Sequence, residues 1–202
     1  MSTGYLKSDE RRAATIDSVV SLAAQRNPSE ITTALIAQNM GVTQGALFRH
    51  FPSKDAIWES VMDWVAEHLL GRIEDVAVKA DNPIEALRSV FLTHIDFVAV
   101  HPGIPRMLFG ELQNQHDSGA KKVVRALLRR YSVVIELQIK RGQATGEIRP
   151  ELDAKTVAGL FVGMVQGLVM QSMLVDQPES MLTNAPQTFD LFEHAIRHRS
   201  TP

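Results

Sequence analysis

Residues 31–54 constrain the fold of this chain more than any other stretch, because they predict two short helices joined by a tight turn. In the first helix, an apolar face at helical spacing is made of Leu35, Ile36 and Met40. Thr32 or Thr33 can cap the start of this helix, since a hydroxyl oxygen accepts a hydrogen bond from a free backbone N–H.

The turn and the second helix follow at once. Gly41 can take the left-handed conformation that ends a helix, and Val42 is expected to be buried between the two helices. Thr43 is a good N-cap for a helix over residues 44–51, which Pro52 ends. The side chains expected to face inward are Ala46, Leu47 and Phe51, and those expected to face outward are Gln44, Gly45, Arg49 and His50.

Two helices with a short glycine-containing turn can form a helix-turn-helix, whose second helix enters the major groove of DNA, or an ordinary helical hairpin. The residues favour the first interpretation, because they resemble the DNA-binding signature of the TetR family of bacterial repressors. The matching positions are Thr33, Ile36, Ala37, Gly41, Val42, Thr43, Gly45, Leu47, Phe48, His50, Phe51, Ser53 and Lys54. One position departs from the family pattern, since Phe48 stands where the family usually has a tyrosine whose phenol contacts a phosphate.

The resemblance implies a transcription regulator, namely a homodimeric repressor that a small, largely apolar effector releases from a palindromic operator in double-stranded DNA. We expect His50 and Lys54 to contact phosphates. The full set of expected DNA-binding residues is Thr33, Thr43, Gln44, Gly45, Ala46, Phe48, Arg49, His50 and Lys54. The net charge of −2 indicates a few placed phosphate contacts rather than a broad basic surface.

The rest of the chain is helical in pattern. Together with 45% hydrophobic residues, it predicts an all-α protein of about nine helices. We expect an N-terminal three-helix DNA-binding domain over residues 1–56, whose residues 1 to about 8 form a disordered arm, and a helical effector-binding and dimerisation domain over 57–202. Further helices are predicted over residues 53–78, 83–100, 104–113, 120–141, 153–175 and 186–199. The absence of cysteine and the polar N-terminus indicate the cytoplasm.

No catalytic grouping is found, and neither a cofactor nor a metal is predicted. His94 and His101 could hold a metal together with His116 or Glu111, but polar groups beside an apolar cavity are the favoured interpretation. Methionine and aromatic residues suit such a cavity, although core filling is the favoured interpretation of any single methionine. The residues expected to line the effector site are Phe91, His94, Phe97, His101, Met107, Phe109, Tyr131 and Met164.

The stretch 153–175 is apolar and about long enough to span a bilayer. We reject that interpretation because Gln166, Gln171 and Ser172 interrupt it and no charged anchors flank it. Glycine repeats every four residues on one face of this helix, which predicts close packing either within the chain or against a second subunit. The resemblance implies that the last two helices form a four-helix bundle with a partner, with interface residues Gly159, Gly163, Gly167, Phe189, Phe192 and Ile196.

Two other functions stay open. The first is a DNA-binding protein that responds to no effector. The second, less favoured, is a helical metal-binding protein or enzyme.

Overall fold

The computed structural model describes residues 8–113 and 115–198. These residues form nine α-helices and one 3₁₀ turn, Pro28–Glu30, with no strand among them, so the predicted all-α class is confirmed. The helices are α1 Ser8–Gln25, α2 Thr33–Asn39, α3 Gln44–Phe48, α4 Lys54–Lys79, α5 Pro83–Val100, α6 Gly103–Gln113, α7 Gly119–Thr145, α8 Ala154–Leu174 and α9 Glu179–Ile196. The arm predicted at the start of the chain and the predicted end of the last helix at residue 199 lie outside the described residues.

The chain divides into two compact units. Unit 1 contains the described residues up to Glu67 together with His101–Arg125, and unit 2 contains His68–Val100 and the described residues from Ala126 onward. Helices α4 and α7 each begin in unit 1 and end in unit 2. In unit 1, α6 packs on α1, where Gly103 lies so close to the backbone of Val20 that a Cβ would clash.

Local capping explains the helix-turn-helix of unit 1. The Thr32 hydroxyl accepts the N–H of Leu35 at 3.1 Å and starts α2, while Gly41 adopts a φ of +65° beyond its end. The Thr43 hydroxyl accepts the N–H of Ala46 at 3.1 Å and starts α3. Helix α3 ends at Phe48, three residues before the predicted end, and the chain then continues in a turn to the buried Phe51. Val42 is only half-buried.

The core of unit 2 is a cluster of aromatic rings contributed by α5, α7, α8 and α9. Its members are Phe91, Tyr131, Phe161, Phe189 and Phe192, whose neighbouring ring centroids lie 5.4–6.2 Å apart. Helix α8 is long and apolar enough to cross a membrane by length and composition alone. It packs here against α5 and α9 and buries Phe161 and Val165 in the core of unit 2.

Boundaries of α9 and α7 also differ from the sequence-based expectation. Helix α9 starts at Glu179 rather than at residue 186, and it contains Pro186. Pro186 is exposed while Ala185 and Phe189 are buried, so burial of the apolar face holds the helix through a residue that lacks a backbone donor.

Helix α7 extends to Thr145, past Gly142, which was expected to break it. The side chain of Ile148 occupies the space that a Cβ of Gly142 would need. The residue that ends the helix is Gly146, with a φ of +77°.

Candidate nucleic-acid interface and buried polar site

The surface of α3 presents a row of side chains to solvent. Gln44, Gly45, Phe48 and Arg49 are exposed, whereas Leu47 on the opposite face is 1% exposed. The expected inward face is therefore confirmed for Leu47, and the expected outward face for Gln44, Gly45 and Arg49. Thr43 is also exposed, and Thr33, Ala46 and His50 are half-buried.

Gln44 also holds the two helices together. Its amide nitrogen donates to the Thr33 hydroxyl at 2.7 Å, so one predicted DNA-binding residue anchors another. This contact joins residues eleven apart in the chain, and no helical spacing in the sequence indicates it.

The side chain of Lys54 packs against the protein rather than extending into solvent. Its ammonium nitrogen lies 4.6 Å from the centroid of the Trp58 ring, and its side chain is half-buried. Burial lowers the pKa of Lys54, while the carboxylates of Asp55 and Glu111 act in the opposite direction. Lys54 therefore combines packing on Trp58 with its positive charge.

A further basic residue, Arg12 of α1, was not among the predicted site residues. It donates to the Ser60 hydroxyl at 2.8 Å and stacks over the Phe51 ring at 5.2 Å. It lines a surface pocket with His50 and Asp63. The pKa of Asp63 is raised by burial and by the neighbouring carboxylates of Glu59 and Glu67.

In unit 2, His94 and Tyr131 form a polar pair inside the aromatic cluster. His94 Nδ1 lies 3.1 Å from the Tyr131 hydroxyl oxygen, and the two rings meet edge to face. Burial lowers the pKa of His94 to about 4 and raises the pKa of Tyr131. Both side chains are therefore neutral at neutral pH.

The other residues expected to line an effector site fall in both units. Phe91 and Phe97 are buried in unit 2, and the guanidinium of Arg72 lies over the Phe97 ring at 5.6 Å. Met164 lines a surface groove between α8 and α9, together with Leu168 and Leu191. Those that belong to unit 1 are His101, Met107 and Phe109.

The histidines proposed as alternative metal ligands have other neighbours. His94 bonds Tyr131, and the His101 ring packs against Trp64 at 5.3 Å between centroids. Among the described residues, no group of three or more His, Asp or Glu side chains is placed to hold a metal ion.

The glycine face of α8 is open. A Cβ built on Gly159, Gly163 or Gly167 would meet no heavy atom within 4 Å in the described part of the chain, so these glycines do not serve packing within the chain. Apolar side chains are exposed on α8 and α9, among them Leu160 at 54% and Leu191 at 74%.

The predicted dimer interface needs a correction for three residues. Phe189, Phe192 and Ile196 are at most 3% exposed and pack in the core of their own chain, so their side chains are not available to a partner. The outer face of α9 carries Leu182 and Leu191 instead. The exposed Leu191 stands between the buried Phe189 and Phe192 in the sequence, so the sequence did not show which of these apolar side chains face outward.

Comparisons with known proteins agree with this architecture. Residues 16–61 match the family described as bacterial regulatory proteins, tetR family, and residues 108–187 match the tetracyclin repressor-like C-terminal domain. The chain belongs to the TetR family. As a TetR-family protein it is a DNA-binding transcriptional regulator, a class that is normally non-enzymatic.

Relatives of this TetR-family chain include the nucleoid occlusion factor SlmA of Vibrio vulnificus (strain YJ016). SlmA is 28% identical over 150 residues, which are 72% of this chain and 74% of SlmA. The fatty acid degradation regulator FadR of Bacillus halodurans superposes with a TM-score of 0.82 at 18% identity, covering 93% of this chain and 97% of FadR. FadR of Bacillus subtilis, in complex with stearoyl-CoA, gives a TM-score of 0.79 at 19% identity, covering 89% and 96%.

Proposed function

We propose that this TetR-family regulator is a cytoplasmic, homodimeric repressor that binds a palindromic operator through α3 and is released by a small, largely apolar effector. The observation that carries the proposal is the exposed face of α3 beside a buried Leu47. A helix held on its scaffold by one face and free on the other can enter the major groove.

The proposed DNA contacts divide into two kinds. Gln44 and Gly45 of α3 and Arg49 directly after it are exposed and would face base edges, and an arginine there suits guanine. His50 and Lys54 follow α3 and would contact phosphates, which fix the position of the protein without reading sequence. Phe48 is 42% exposed and carries no hydroxyl, so it would contribute apolar contact only.

The proposed dimer uses the outer faces of α8 and α9. The open glycines allow two copies of α8 to approach closely, and the exposed leucines would be buried by the partner. Two-fold symmetry would place two α3 helices about 34–36 Å apart, or a multiple of one DNA turn. This geometry requires a palindromic operator.

The proposed effector site lies in unit 2, beside His94 and the aromatic cluster. Aromatic walls with a single polar pair are typical of sites for apolar ligands. The fold shared with a FadR crystallised with stearoyl-CoA supports a ligand with a large apolar part.

A second candidate function is DNA binding without an effector. It is favoured by the similarity to SlmA, which is described as a nucleoid occlusion factor. In that case no small molecule would change the affinity for DNA.

The DNA-binding proposal is tested by two substitutions measured on a selected operator and on random DNA. Lys54→Met keeps the apolar stem over Trp58 but removes the charge, so affinity should fall on both DNAs and the salt slope should become shallower by about one. Arg49→Ala should cost about 1–3 kcal/mol and relax the preference at particular base pairs.

Arg129→Ala is the matched control, because Arg129 is an exposed arginine on α7. If Lys54→Met and Arg129→Ala change the affinity and the salt slope equally, α3 and its surroundings are not the DNA-binding surface.

A further inference from the structure

The proton positions of the His94 and Tyr131 pair can be assigned from their surroundings. Tyr131 is 2% exposed, and among the described residues the one hydrogen-bond partner of its hydroxyl is Nδ1 of His94. If Nδ1 carried the proton, the hydroxyl oxygen would accept and its own hydrogen would have no acceptor, and a buried donor left unsatisfied costs roughly 1–3 kcal/mol. The Tyr131 O–H therefore donates to Nδ1 of His94.

This bond fixes the tautomer of the imidazole. A neutral imidazole that accepts at Nδ1 carries its proton on Nε2, which is then a donor. The low pKa of His94, which is due to burial, keeps the ring neutral at neutral pH.

The Nε2–H donor has no hydrogen-bond partner within the described part of the chain. Among the described residues, no fully buried side-chain nitrogen or oxygen lacks a partner, so Nε2 must reach space that a water-sized molecule can enter. His94 is half-buried, which agrees with partial access to its ring, while the protein atoms around the ring lower its pKa.

The His94 ring adjoins the aromatic cluster through Tyr131. Phe91 lies one helical turn before His94 on α5 and packs against Phe161, and Tyr131 contacts both His94 and Phe161. A single directed donor among aromatic side chains can orient an otherwise apolar ligand.

We propose that the Nε2–H of His94 is the specificity-determining donor of the effector site, and that the effector is a mostly apolar molecule carrying an uncharged oxygen acceptor, such as a carbonyl or hydroxyl, that bonds this nitrogen. The proposal rests on the effector binding proposed above. An uncharged acceptor is required because the neutral imidazole offers no charge to balance an ionised group at that point.

The first test needs no ligand. Long-range ¹H–¹⁵N correlation spectra of the ¹⁵N-labelled protein at pH 7 should show His94 as the Nε2–H tautomer, with the signals assigned by their loss in His94→Gln. Tyr131→Phe should allow both tautomers to be populated, because the donor to Nδ1 is gone. An Nδ1–H tautomer in the unsubstituted protein would overturn the proposal.

The second test uses two isosteric probes, acetophenone, which has a carbonyl oxygen, and α-methylstyrene, which has a CH₂ group in its place. The ratio of their affinities measures how much the oxygen acceptor contributes to binding. Without a donor in the site the ketone should bind more weakly than the hydrocarbon, since it loses its hydrogen bonds to water.

Two variants separate the nitrogens of His94. His94→Asn places an amide near the position of Nδ1 and can still accept from Tyr131, but it has no group at the position of Nε2. His94→Gln places an amide N–H near Nε2. The affinity ratio of acetophenone to α-methylstyrene should fall at least about fivefold in His94→Asn and be largely kept in His94→Gln.

The outcomes distinguish the two levels of the proposal. If both probes bind and their ratio is the same in all three proteins, an apolar site exists but His94 is not its donor. If neither probe binds near His94, as judged by the ¹⁵N signals, the site itself is absent and the proposal falls together with the effector site. Release of operator DNA is measured separately. If the protein binds the ketone but does not release operator DNA, the assignment of His94 as the donor stands and the inducer function is excluded.

Discussion

At the scale of single residues, burial decides the chemistry that a histidine can perform. His94 lies among aromatic rings and is neutral at neutral pH, whereas His194 is exposed on α9 and bonds a backbone carbonyl of its own helix. The same side chain is thus a fixed donor in one place and a solvated group in the other.

The low pKa of His94 predicts a specific pH dependence of stability. In the folded chain burial lowers the pKa of His94 to about 4, while in the unfolded chain the same imidazole has its ordinary pKa of 6.5. The free energy of unfolding should therefore fall as the pH drops from 6.5 to 4, by at most about 1.4 kcal/mol per pH unit from this group, and be unaffected by it above 6.5. Urea unfolding at pH 7, 6 and 5 measures the slope, which should be shallower in His94→Gln. Parallel profiles for the two proteins would mean that folded His94 takes up a proton freely.

Residues whose role depends on local chain geometry could be predicted, and those that depend on distant contacts could not. Thr43 and Gly41 act within three residues of their own position, so composition and spacing were sufficient. The contact of His94 with Tyr131 joins residues 37 apart, and it was not apparent from either helix alone. Met164 was expected to line the internal effector site, but it lines a surface groove. Its position also depends on contacts between helices that are distant in the sequence.

At the scale of helices, apolar periodicity located every element, but it did not determine where each one ends. Helix α7 continues past Gly142, against which Ile148 packs, and ends before Gly146, while α9 starts before Pro186, where Met181 is buried. In both cases tertiary packing overrides the local preference of glycine or proline. The same limit applies to α9, where the exposed Leu191 stands between the buried Phe189 and Phe192.

Gly45 provides a test of α3 at this scale. It is exposed, and a Cβ there would meet no heavy atom within 4 Å, so Gly45→Ala should stabilise the free protein by up to about 1 kcal/mol through helix propensity. Gly71→Ala in α4 is the matched control, because Gly71 is also helical, exposed and uncrowded. Gly45→Ala alone should weaken operator binding, since a methyl group would separate α3 from the base edges. Thermal unfolding and operator titration of both variants measure the two effects, and equal operator affinity would place Gly45 away from the DNA.

At the scale of the whole molecule, α4 and α7 connect the units because each belongs to both. Helix α7 also contributes Tyr131 to the aromatic cluster of unit 2. The outer faces of α8 and α9 remain uncovered in the single chain, and their exposed leucines require a partner or solvent.

Gly163→Leu tests the proposed dimer. A leucine on the open face of α8 should force two copies of α8 apart and produce monomers in sedimentation velocity. Gly110→Leu is the control, because Gly110 is an exposed and uncrowded glycine of α6. If both variants sediment as dimers, the interface lies on another surface.

Effector and operator must weaken each other by the same factor if the repressor proposal is correct. A ligand changes the affinity for DNA only to the extent that it binds the free and the DNA-bound forms differently. A coupling free energy of about 1–3 kcal/mol would weaken operator binding roughly 5- to 150-fold, and linkage requires that operator DNA weaken the ligand by that same factor. Native mass spectrometry of the purified protein identifies a retained ligand, and calorimetric titration of that ligand with and without operator measures the coupling. Equal ligand affinities in the two titrations would exclude the inducer function and favour the effector-independent DNA-binding dimer.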